Sequence, residues 1–277
     1  MSDLGYIDAV LLGVVEGLTE FLPVSSTGHL TVAEQLLGLE VDDPAVTAYT
    51  VIIQFGAIVA TFLYFRTDIA RLGGAWLKGL RSPEHRGVDY KFAWYVVAGS
   101  LPIVVVAVLA KDLITGPLRN LWVVAGALIA WSAVMWWAER NPRQKLEDED
   151  LTLRQVLTIG AVQCLALIPG VSRSGATISA GLLLGATRVT ATRLSFFLAI
   201  PALTGGGLYE LKDVDTAVVG AGQMLVGIVV SFLVAYASIA WLLQLVAKHP
   251  ISVFVPYRVA AGLGIALLLA TGVMTAT

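Results

Sequence analysis

Hydrophobic residues occur along this chain in long blocks that contain few or no charges. A helix of about 20 apolar residues crosses the hydrocarbon core of a bilayer, which is roughly 30 Å thick. Six blocks predict such helices: 45–65, 92–110, 120–138, 194–209, 216–247 and 259–277. The pattern therefore predicts an all-α polytopic membrane protein with six transmembrane helices.

The composition supports this class of protein. Of the 277 residues, 57% are hydrophobic and 14% are charged, whereas about 25% are charged in soluble domains. The net charge is −2 and no basic arm is present, so we expect membrane lipid, and no nucleic acid, as a partner. We expect a single membrane domain over residues 1–277. The sequence leaves open whether this domain forms a homodimer.

Lysine and arginine indicate the topology, because these residues concentrate in short cytoplasmic loops. Twelve of them lie in three loops, 66–91, 139–155 and 248–258, and the last of these includes Arg258. The alternate loops hold only three. The three loops that are rich in lysine and arginine are therefore predicted to be cytoplasmic.

A weak internal repeat interrupts the apolar pattern. Residues 13–29 and 160–176 align without a gap at an offset of 147, and six of the 17 positions are identical. Both copies place a serine-rich, glycine-containing turn, with ionisable residues in or beside it, inside apolar sequence. This combination predicts a polar site buried in the membrane.

An odd number of predicted spans separates the two copies, so the second copy enters the membrane from the opposite face. We predict an inverted repeat with halves of about 1–138 and 151–277, joined by the linker 139–150. Residues 4–38 and 151–187 are too polar at their middles to face lipid, and they predict re-entrant helix-turn-helix hairpins whose tips meet near the midplane. The alternative is two further ordinary spans, which would disturb the charge asymmetry.

Two carboxylates mark the first copy. Glu16 and Glu20 are four residues apart, so a helix places both on one face. Two like charges repel there unless a cation lies between them or one is protonated. Carboxylate oxygens suit Mg²⁺ or Ca²⁺. The pair therefore predicts a divalent-cation site, and the alternative is a pair that contacts an arginine at an aqueous cavity.

Three hydroxyls and a histidine follow Pro23 at the predicted start of a second helix. One of the hydroxyls of Ser25, Ser26 and Thr27 would cap free backbone N–H groups, and such a helix start can also hold an anion. His29 lies three residues after Ser26, a spacing that lets its imidazole reach the hydroxyl and act as a general acid or base. The alternative for His29 is a structural hydrogen bond.

The second copy carries an arginine instead. Arg173 lies between Ser172 and Ser174, with Gly170 and Gly175 nearby. A guanidinium fork matches phosphate oxygens, and backbone amides beside glycines can approach the same anion. The copy therefore predicts an anion site, and the alternative is a salt bridge from Arg173 to a glutamate of the first copy.

A cation site, an activated hydroxyl and an arginine cradle are the set that phosphoryl transfer needs, because positioning and charge neutralisation carry most of its catalysis. Since the site lies within the bilayer, we expect a lipid substrate whose reacting end is a phosphate or diphosphate.

The motifs Glu16-Gly-Leu-Thr-Glu-Phe-Leu-Pro-Val-Ser-Ser-Thr-Gly-His29 and Pro169-Gly-Val-Ser-Arg-Ser-Gly-Ala-Thr177 closely resemble the two signature motifs of the bacterial undecaprenyl-diphosphatase family, also known as bacitracin-resistance proteins. The likeness covers essentially the whole chain, including the segment Val51-Ile-Ile-Gln54-Phe-Gly-Ala between the motifs.

The resemblance implies a metal-dependent enzyme of the bacterial inner membrane, with six spans, two re-entrant hairpins and an active site open to the extracytoplasmic side. The enzyme would remove one phosphate from undecaprenyl diphosphate, a polyprenyl diphosphate, and so recycle the lipid carrier of cell-wall synthesis and give bacitracin resistance.

The same resemblance assigns roles to residues of this sequence. Glu16 and Glu20 take the metal-binding and acidic roles, Ser26 and His29 are the nucleophile and its partner, and Arg173 clamps the diphosphate. The predicted substrate-binding residues are Ser25, Thr27, Gly28, Gln54, Gly170, Ser172, Arg173, Ser174, Gly175 and Thr177. We favour Ser26 as the nucleophile, while His29 and a metal-bound water stay open.

A transporter or flippase of lipid phosphates is the alternative function. Inverted repeats with broken helices at the midplane are common in secondary transporters, and such a protein needs the phosphate-binding residues without a nucleophile.

Overall fold

The computed structural model describes residues 4–41, 43–140, 143–211 and 219–276. These residues form α-helices and short 3-10 helices, and no strand is assigned among them. The α-helices are α1 Tyr6–Thr19, α2 Ser26–Leu36, α3 Pro44–Tyr64, α4 Arg66–Arg81, α5 Val88–Leu109, α6 Lys111–Thr115, α7 Leu121–Glu139, α8 Leu153–Gln163, α9 Arg173–Leu183, α10 Arg188–Leu211, α11 Ala221–Lys248 and α12 Val255–Ala270. The predicted all-α class is confirmed.

Among the described residues, six helical segments are long and apolar enough to cross a membrane, as predicted. They are Pro44–Tyr64, Val88–Leu109, Leu121–Glu139, Arg188–Leu211, Ala221–Lys248 and Ile251–Ala270. The fourth and sixth begin earlier than predicted, because the predicted starts exclude Arg193 and Arg258. Both arginines lie inside helices, where other side chains or backbone carbonyls accept their hydrogen bonds. The predicted boundaries 216 and 277 lie outside the described residues.

The predicted cytoplasmic loop 66–91 is not a simple loop. Residues Arg66–Arg81 form α4, in which apolar side chains recur at helical spacing between the charged ones. Leu72 and Gly79 are buried on one face of this helix. A Cβ atom at Gly79 would lie 2.3 Å from the ring of Tyr90, so the helix packs closely on the start of α5.

The loops that carry most of the lysine and arginine meet at one end of the bundle. Arg193, near the start of α10, contacts Asp148 of the linker at 3.1 Å and Asp68 of α4 at 3.3 Å. The backbone N–H of Ile251 donates to the Glu139 carboxylate at 2.8 Å. These contacts agree with the prediction that the three loops share one side of the membrane.

The end of α2 and the residues that follow α12 meet at the other end of α7. The backbone N–H of Leu121, the first residue of α7, donates to the carbonyl of Ala276 at 2.9 Å. Near it, the Gln35 amide donates to the carbonyl of Thr275 at 3.2 Å. The end of α2 therefore lies on the side opposite the charged loops.

The two copies of the repeat have the same local backbone. Each is a pair of packed short helices, α1 with α2 and α8 with α9, and α9 begins and ends 147 residues after α2. Ser25 and Ser172, the residues before α2 and α9, have φ angles of 76° and 75°. Whether each pair enters and leaves the membrane on one side stays a prediction, as does the division into halves.

Each helix pair packs against a long helix from the other predicted half. α1 lies on α11, where a Cβ atom at Gly17 would come within 2.7 Å of the Ser231 carbonyl oxygen. α8 lies on α5, where a Cβ atom at Gly160 would come within 2.1 Å of the Gly99 carbonyl oxygen. This exchange of partners brings the two copies together in the middle of the bundle.

Candidate active site

The breaks in the two helix pairs are in direct contact. We call residues 20–26, from the end of α1 to the first residue of α2, the first tip, and residues 168–173, up to the first residue of α9, the second tip. The backbone N–H of Gly170 donates to Ser25 Oγ at 3.0 Å. Ser174 Oγ, in the first turn of α9, donates to the carbonyl of Leu22 at 3.0 Å. The two tips therefore build one site, as the repeat predicts.

A chain of hydrogen bonds between three side chains joins the two tips. Ser26 Oγ donates to Glu20 Oε2 at 2.5 Å, and Arg173 Nη2 donates to Glu20 Oε1 at 3.0 Å. The Glu20 and Arg173 side chains are only 6% and 12% exposed, so water screens the pair weakly. Arg173 Nη1 is buried and has no hydrogen-bond partner among the described residues. Glu20 can thus take a proton from Ser26 while Arg173 offers a second N–H group to an anion.

The sequence leaves open whether Arg173 binds an anion or forms a salt bridge to a glutamate of the first copy, and this arrangement bears on both alternatives. The salt bridge to a glutamate of the first copy is present, and its partner is Glu20. One half of the guanidinium fork is left for another ligand. The salt bridge is therefore present, and the anion site stays a prediction that the Nη1 atom, unpaired among the described residues, leaves open.

The predicted contact between His29 and Ser26 is wrong. His29 Nδ1 lies 2.7 Å from the carbonyl oxygen of Ser25, and Nε2 lies 2.7 Å from the hydroxyl of Tyr257. A carbonyl oxygen only accepts, so Nδ1 carries the proton, and Nε2 of the neutral ring accepts from Tyr257. The two rings also stack, with centroids 5.6 Å apart and planes 14° apart. The carboxylate of Glu20 takes the position beside Ser26 that was expected for His29.

Glu16 lies one helical turn before Glu20 and is 2% exposed. Its Oε1 atom is buried without a hydrogen-bond partner among the described residues. Both oxygens of Glu20 are occupied by Ser26 and Arg173, so Glu16 offers the open carboxylate oxygen of the pair. No group of three His, Cys, Asp or Glu side chains that could hold a metal occurs in the described part of the chain. The residues fit a cation held by Glu16 together with ligand oxygens, and the predicted metal site of Glu16 and Glu20 stays a prediction.

Several predicted substrate-binding residues of the second copy are bonded within the protein. Ser172 Oγ accepts from the N–H of Gly175 at 3.2 Å and lies 3.1 Å from Ser174 Oγ. Thr177 Oγ1 donates to Ser195 Oγ at 2.7 Å and lies 2.8 Å from the Arg173 carbonyl. These hydroxyls shape the start of α9, and their role in substrate binding is untested.

The remaining predicted residues occupy different environments. Thr27 is exposed, whereas Gly28 is buried and a Cβ atom there would lie 2.6 Å from Val124. Gly170 has a φ of 98°, and a Cβ atom there would lie 2.4 Å from the Val124 carbonyl, so only glycine fits. Gln54 is half-buried in α3 and takes no part in the tip contacts described above.

Arg258 is a site residue that the sequence reasoning missed. It was counted as a cytoplasmic loop charge, but it lies in α12 and is 0% exposed. Its guanidinium donates to carbonyl oxygens of both tips. Apolar sequence before and after Arg258 is the only local signal that it belongs to a helix within the membrane.

A cavity of about 640 Å³ lies elsewhere, among the charged residues at the linker end of the bundle. Its lining includes Arg71, His85, Asp89, Asp148 and Arg193. No predicted site residue lines it, and Arg71 and Arg193 are already paired with aspartates. The candidate active site is therefore at the two tips.

Comparison with known proteins shows the family to which the chain belongs. The family model described as bacitracin resistance protein BacA matches residues 9–264. The chain belongs to this family. It is 55% identical to undecaprenyl-diphosphatase 1 of Streptomyces coelicolor over 99% of both chains. It is 54% identical to undecaprenyl-diphosphatase 1 of Frankia alni over 100% of both chains. It is 47% identical to the undecaprenyl-diphosphatase of Mycobacterium sp. (strain KMS), over 99% of this chain and 100% of that one.

Proposed function

We propose that this membrane protein is a phosphatase that hydrolyses undecaprenyl diphosphate to undecaprenyl phosphate and inorganic phosphate. The single observation that carries the proposal is the contact of Ser26, Glu20 and Arg173 between the two tips. A binding protein or transporter needs the arginine but has no use for a hydroxyl held at 2.5 Å from a carboxylate. Membership of the family and the names of its relatives support the same activity.

In the first step, Ser26 Oγ attacks the terminal phosphorus of the diphosphate. Its proton passes to Glu20 Oε2 and on to the bridging oxygen as the bond from phosphorus to that oxygen breaks. The leaving group is the polyprenyl monophosphate, and the enzyme carries a phosphoserine. Arg173 holds Glu20 through Nη2 and neutralises charge on the transferring phosphoryl group through Nη1, which is where most of the catalysis of such reactions arises.

In the second step, a water molecule attacks the phosphoserine. Glu20 accepts a proton from this water and returns it to Ser26 Oγ as the bond between phosphorus and Oγ breaks. Inorganic phosphate leaves and the serine is restored. One carboxylate therefore serves as base and acid in turn, which its direct contact with Ser26 permits.

A divalent cation, Mg²⁺ or Ca²⁺, would be held by the open oxygen of Glu16. Mg²⁺ characteristically binds one or two carboxylates together with phosphate oxygens and water. When bound, it neutralises charge on the diphosphate. The buried Glu16 oxygen without a partner is the observation that supports this assignment.

The site is proposed to lie in the bacterial inner membrane and to open on the extracytoplasmic side. α2 runs from the first tip to the end of the bundle opposite the lysine- and arginine-rich loops. By the positive-inside rule, that end faces away from the cytoplasm.

Purified protein in detergent is expected to release inorganic phosphate from a polyprenyl diphosphate, since detergent abolishes vectorial transport but not hydrolysis. A chelator of divalent cations should lower the rate by about ten-fold or more, and Mg²⁺ or Ca²⁺ should restore it. Phosphate release measured by colorimetry tests both expectations. Binding of the lipid without phosphate release would favour the transporter. Full activity in excess chelator would show that the reaction needs no divalent cation.

Replacing Tyr257 with phenylalanine is expected to lower kcat/KM for phosphate release by about 3- to 10-fold. The change removes one hydrogen bond to His29 Nε2, which contributes about 1 kcal/mol, and keeps the stacked rings. Tyr236→Phe is the matched control, because the rings that this tyrosine contacts are those of Tyr64 and Phe232, neither of which belongs to a tip. Equal kcat/KM values for the wild-type protein and Tyr257→Phe would show that the hydrogen bond does not support catalysis.

A further inference from the structure

Arg258 contacts both tips from a third element of the fold. Its Nη1 atom donates to the carbonyl oxygen of Pro23 at 2.7 Å, in the first tip. Its Nη2 atom donates to the carbonyl oxygens of Gly170 at 2.9 Å and Val171 at 3.2 Å, in the second tip. One planar side chain therefore spans the seam between the two copies of the repeat.

These carbonyl groups lack hydrogen-bond partners within a helix because the helices are broken at the tips. The last carbonyl groups of a helix, and those of the turn that follows, have no partner within the helix. An unpaired carbonyl costs several kcal/mol where water is excluded. Arg258 satisfies three such groups at once, which a fork with five N–H donors can do and a single ammonium nitrogen cannot.

The fourth partner shows that Arg258 is itself held in place. Its Nε atom donates to Ser132 Oγ in α7 at 3.3 Å, and Ser132 Oγ in turn donates to the Leu128 carbonyl at 2.7 Å. Each of these four hydrogen bonds of Arg258 goes to a neutral oxygen, and the side chain is fully buried. Its position is thus set by α7 and α12 rather than by an ion pair that could move with either tip.

The carbonyl groups that Arg258 holds are close in sequence to the reacting groups. Pro23 lies midway between Glu20 and Ser26 in the first tip, and Val171 lies two residues before Arg173 in the second. A shift of either carbonyl would move the serine and the carboxylate relative to the arginine. A misplacement of about 1 Å at a reacting centre can cost on the order of 100-fold in rate.

We propose that Arg258 is a positioning residue which fixes the two tips relative to each other, so that Ser26 and Glu20 of one copy stay in register with Arg173 of the other. This inference rests on the proposed function, since it explains how a site divided between two distant motifs keeps its geometry. Arg258 acts through the backbone of the tips and does not touch the reacting atoms.

The test is a double-mutant cycle of Arg258→Lys with Arg173→Ala, measured as kcat for phosphate release per folded, monodisperse protein. Lysine keeps the charge but can hold only one tip at a time. In the wild-type background we expect Arg258→Lys to lower kcat on the order of 100-fold. In the Arg173→Ala background, position 173 carries no guanidinium to align. There we expect Arg258→Lys to lower kcat less than about 3-fold.

Two controls make the cycle decisive. Arg188→Lys makes the same change in an arginine that pairs with Glu139 at the other end of the second helix pair, and it should leave kcat within about 3-fold of the wild-type value. Arg258→Gln, which can also hold only one tip, should repeat the cycle if the lysine variant is recovered poorly. A general loss of folded protein would lower both backgrounds by the same factor.

Equal losses in both backgrounds, or a kcat of Arg258→Lys close to that of the wild type, would overturn the inference. Failure of the proposed function would look different, because the wild-type protein itself would then release no phosphate.

Discussion

Replacing Ser26 with alanine is expected to lower phosphate release on the order of 10³- to 10⁴-fold. The variant keeps both tips, the salt bridge between Arg173 and Glu20, and the anion site, but it loses the hydroxyl that attacks phosphorus. Removing a nucleophile abolishes the covalent route and leaves only the catalysis that binding and charge neutralisation provide. The measurement is kcat for phosphate release from a polyprenyl diphosphate by purified variant in detergent.

The matched control for this prediction is Ser238→Ala. Ser238 is also a buried serine, but its hydroxyl donates to the Val234 carbonyl of its own helix at 2.8 Å and makes no hydrogen bond to either tip. The control should keep nearly full activity. A Ser26→Ala protein that retains more than about a tenth of wild-type kcat would mean that another group attacks phosphorus.

Replacing Arg173 with lysine is expected to lower kcat on the order of 10³-fold. Arg173 holds Glu20 through Nη2 and leaves Nη1 for the substrate, so its fork makes two contacts in fixed directions. A lysine ammonium can contact Glu20 or the phosphate in that geometry, but it cannot hold both as a rigid plane. An arginine that neutralises charge in phosphoryl transfer is worth about 10³- to 10⁵-fold in kcat.

Arg188→Lys provides the comparison for an arginine in an ion pair elsewhere. Arg188 contacts Glu139 at 2.5 Å at the opposite end of the second helix pair. We expect this variant to retain most of the wild-type kcat. Near-normal turnover of Arg173→Lys would remove the argument that the fork is needed.

The parts of the fold that depend on local pattern were predictable from the sequence. The six spans follow from apolar blocks of the right length, and the structure has six such helices. The repeat predicted that α2 and α9 are equivalent, and the φ angles of Ser25 and Ser172 agree within 1°. α4 was missed because charged residues on a helix outside the apolar spans were taken as a loop.

The site was predictable where its residues belong to the two copies of the repeat. Glu20, Ser26 and Arg173 were expected together from the repeat, and they are joined by hydrogen bonds. The partner of His29 was not predictable from a spacing of three residues, because its ring forms a hydrogen bond with Tyr257, 228 residues away. Arg258 was misplaced for a related reason: counting charges near the ends of spans cannot tell an arginine in a loop from one that binds backbone carbonyls inside the bundle.

The central claim is that Ser26, activated by Glu20, takes the terminal phosphate of the lipid diphosphate. The most direct test is to mix the protein with substrate carrying ³²P in its terminal phosphate, quench within the first turnover, and locate the label by peptide mapping. The account predicts labelled protein with the phosphate on Ser26, and no label in Ser26→Ala. Label on His29, or phosphate release in the first turnover without any labelled protein, would contradict it.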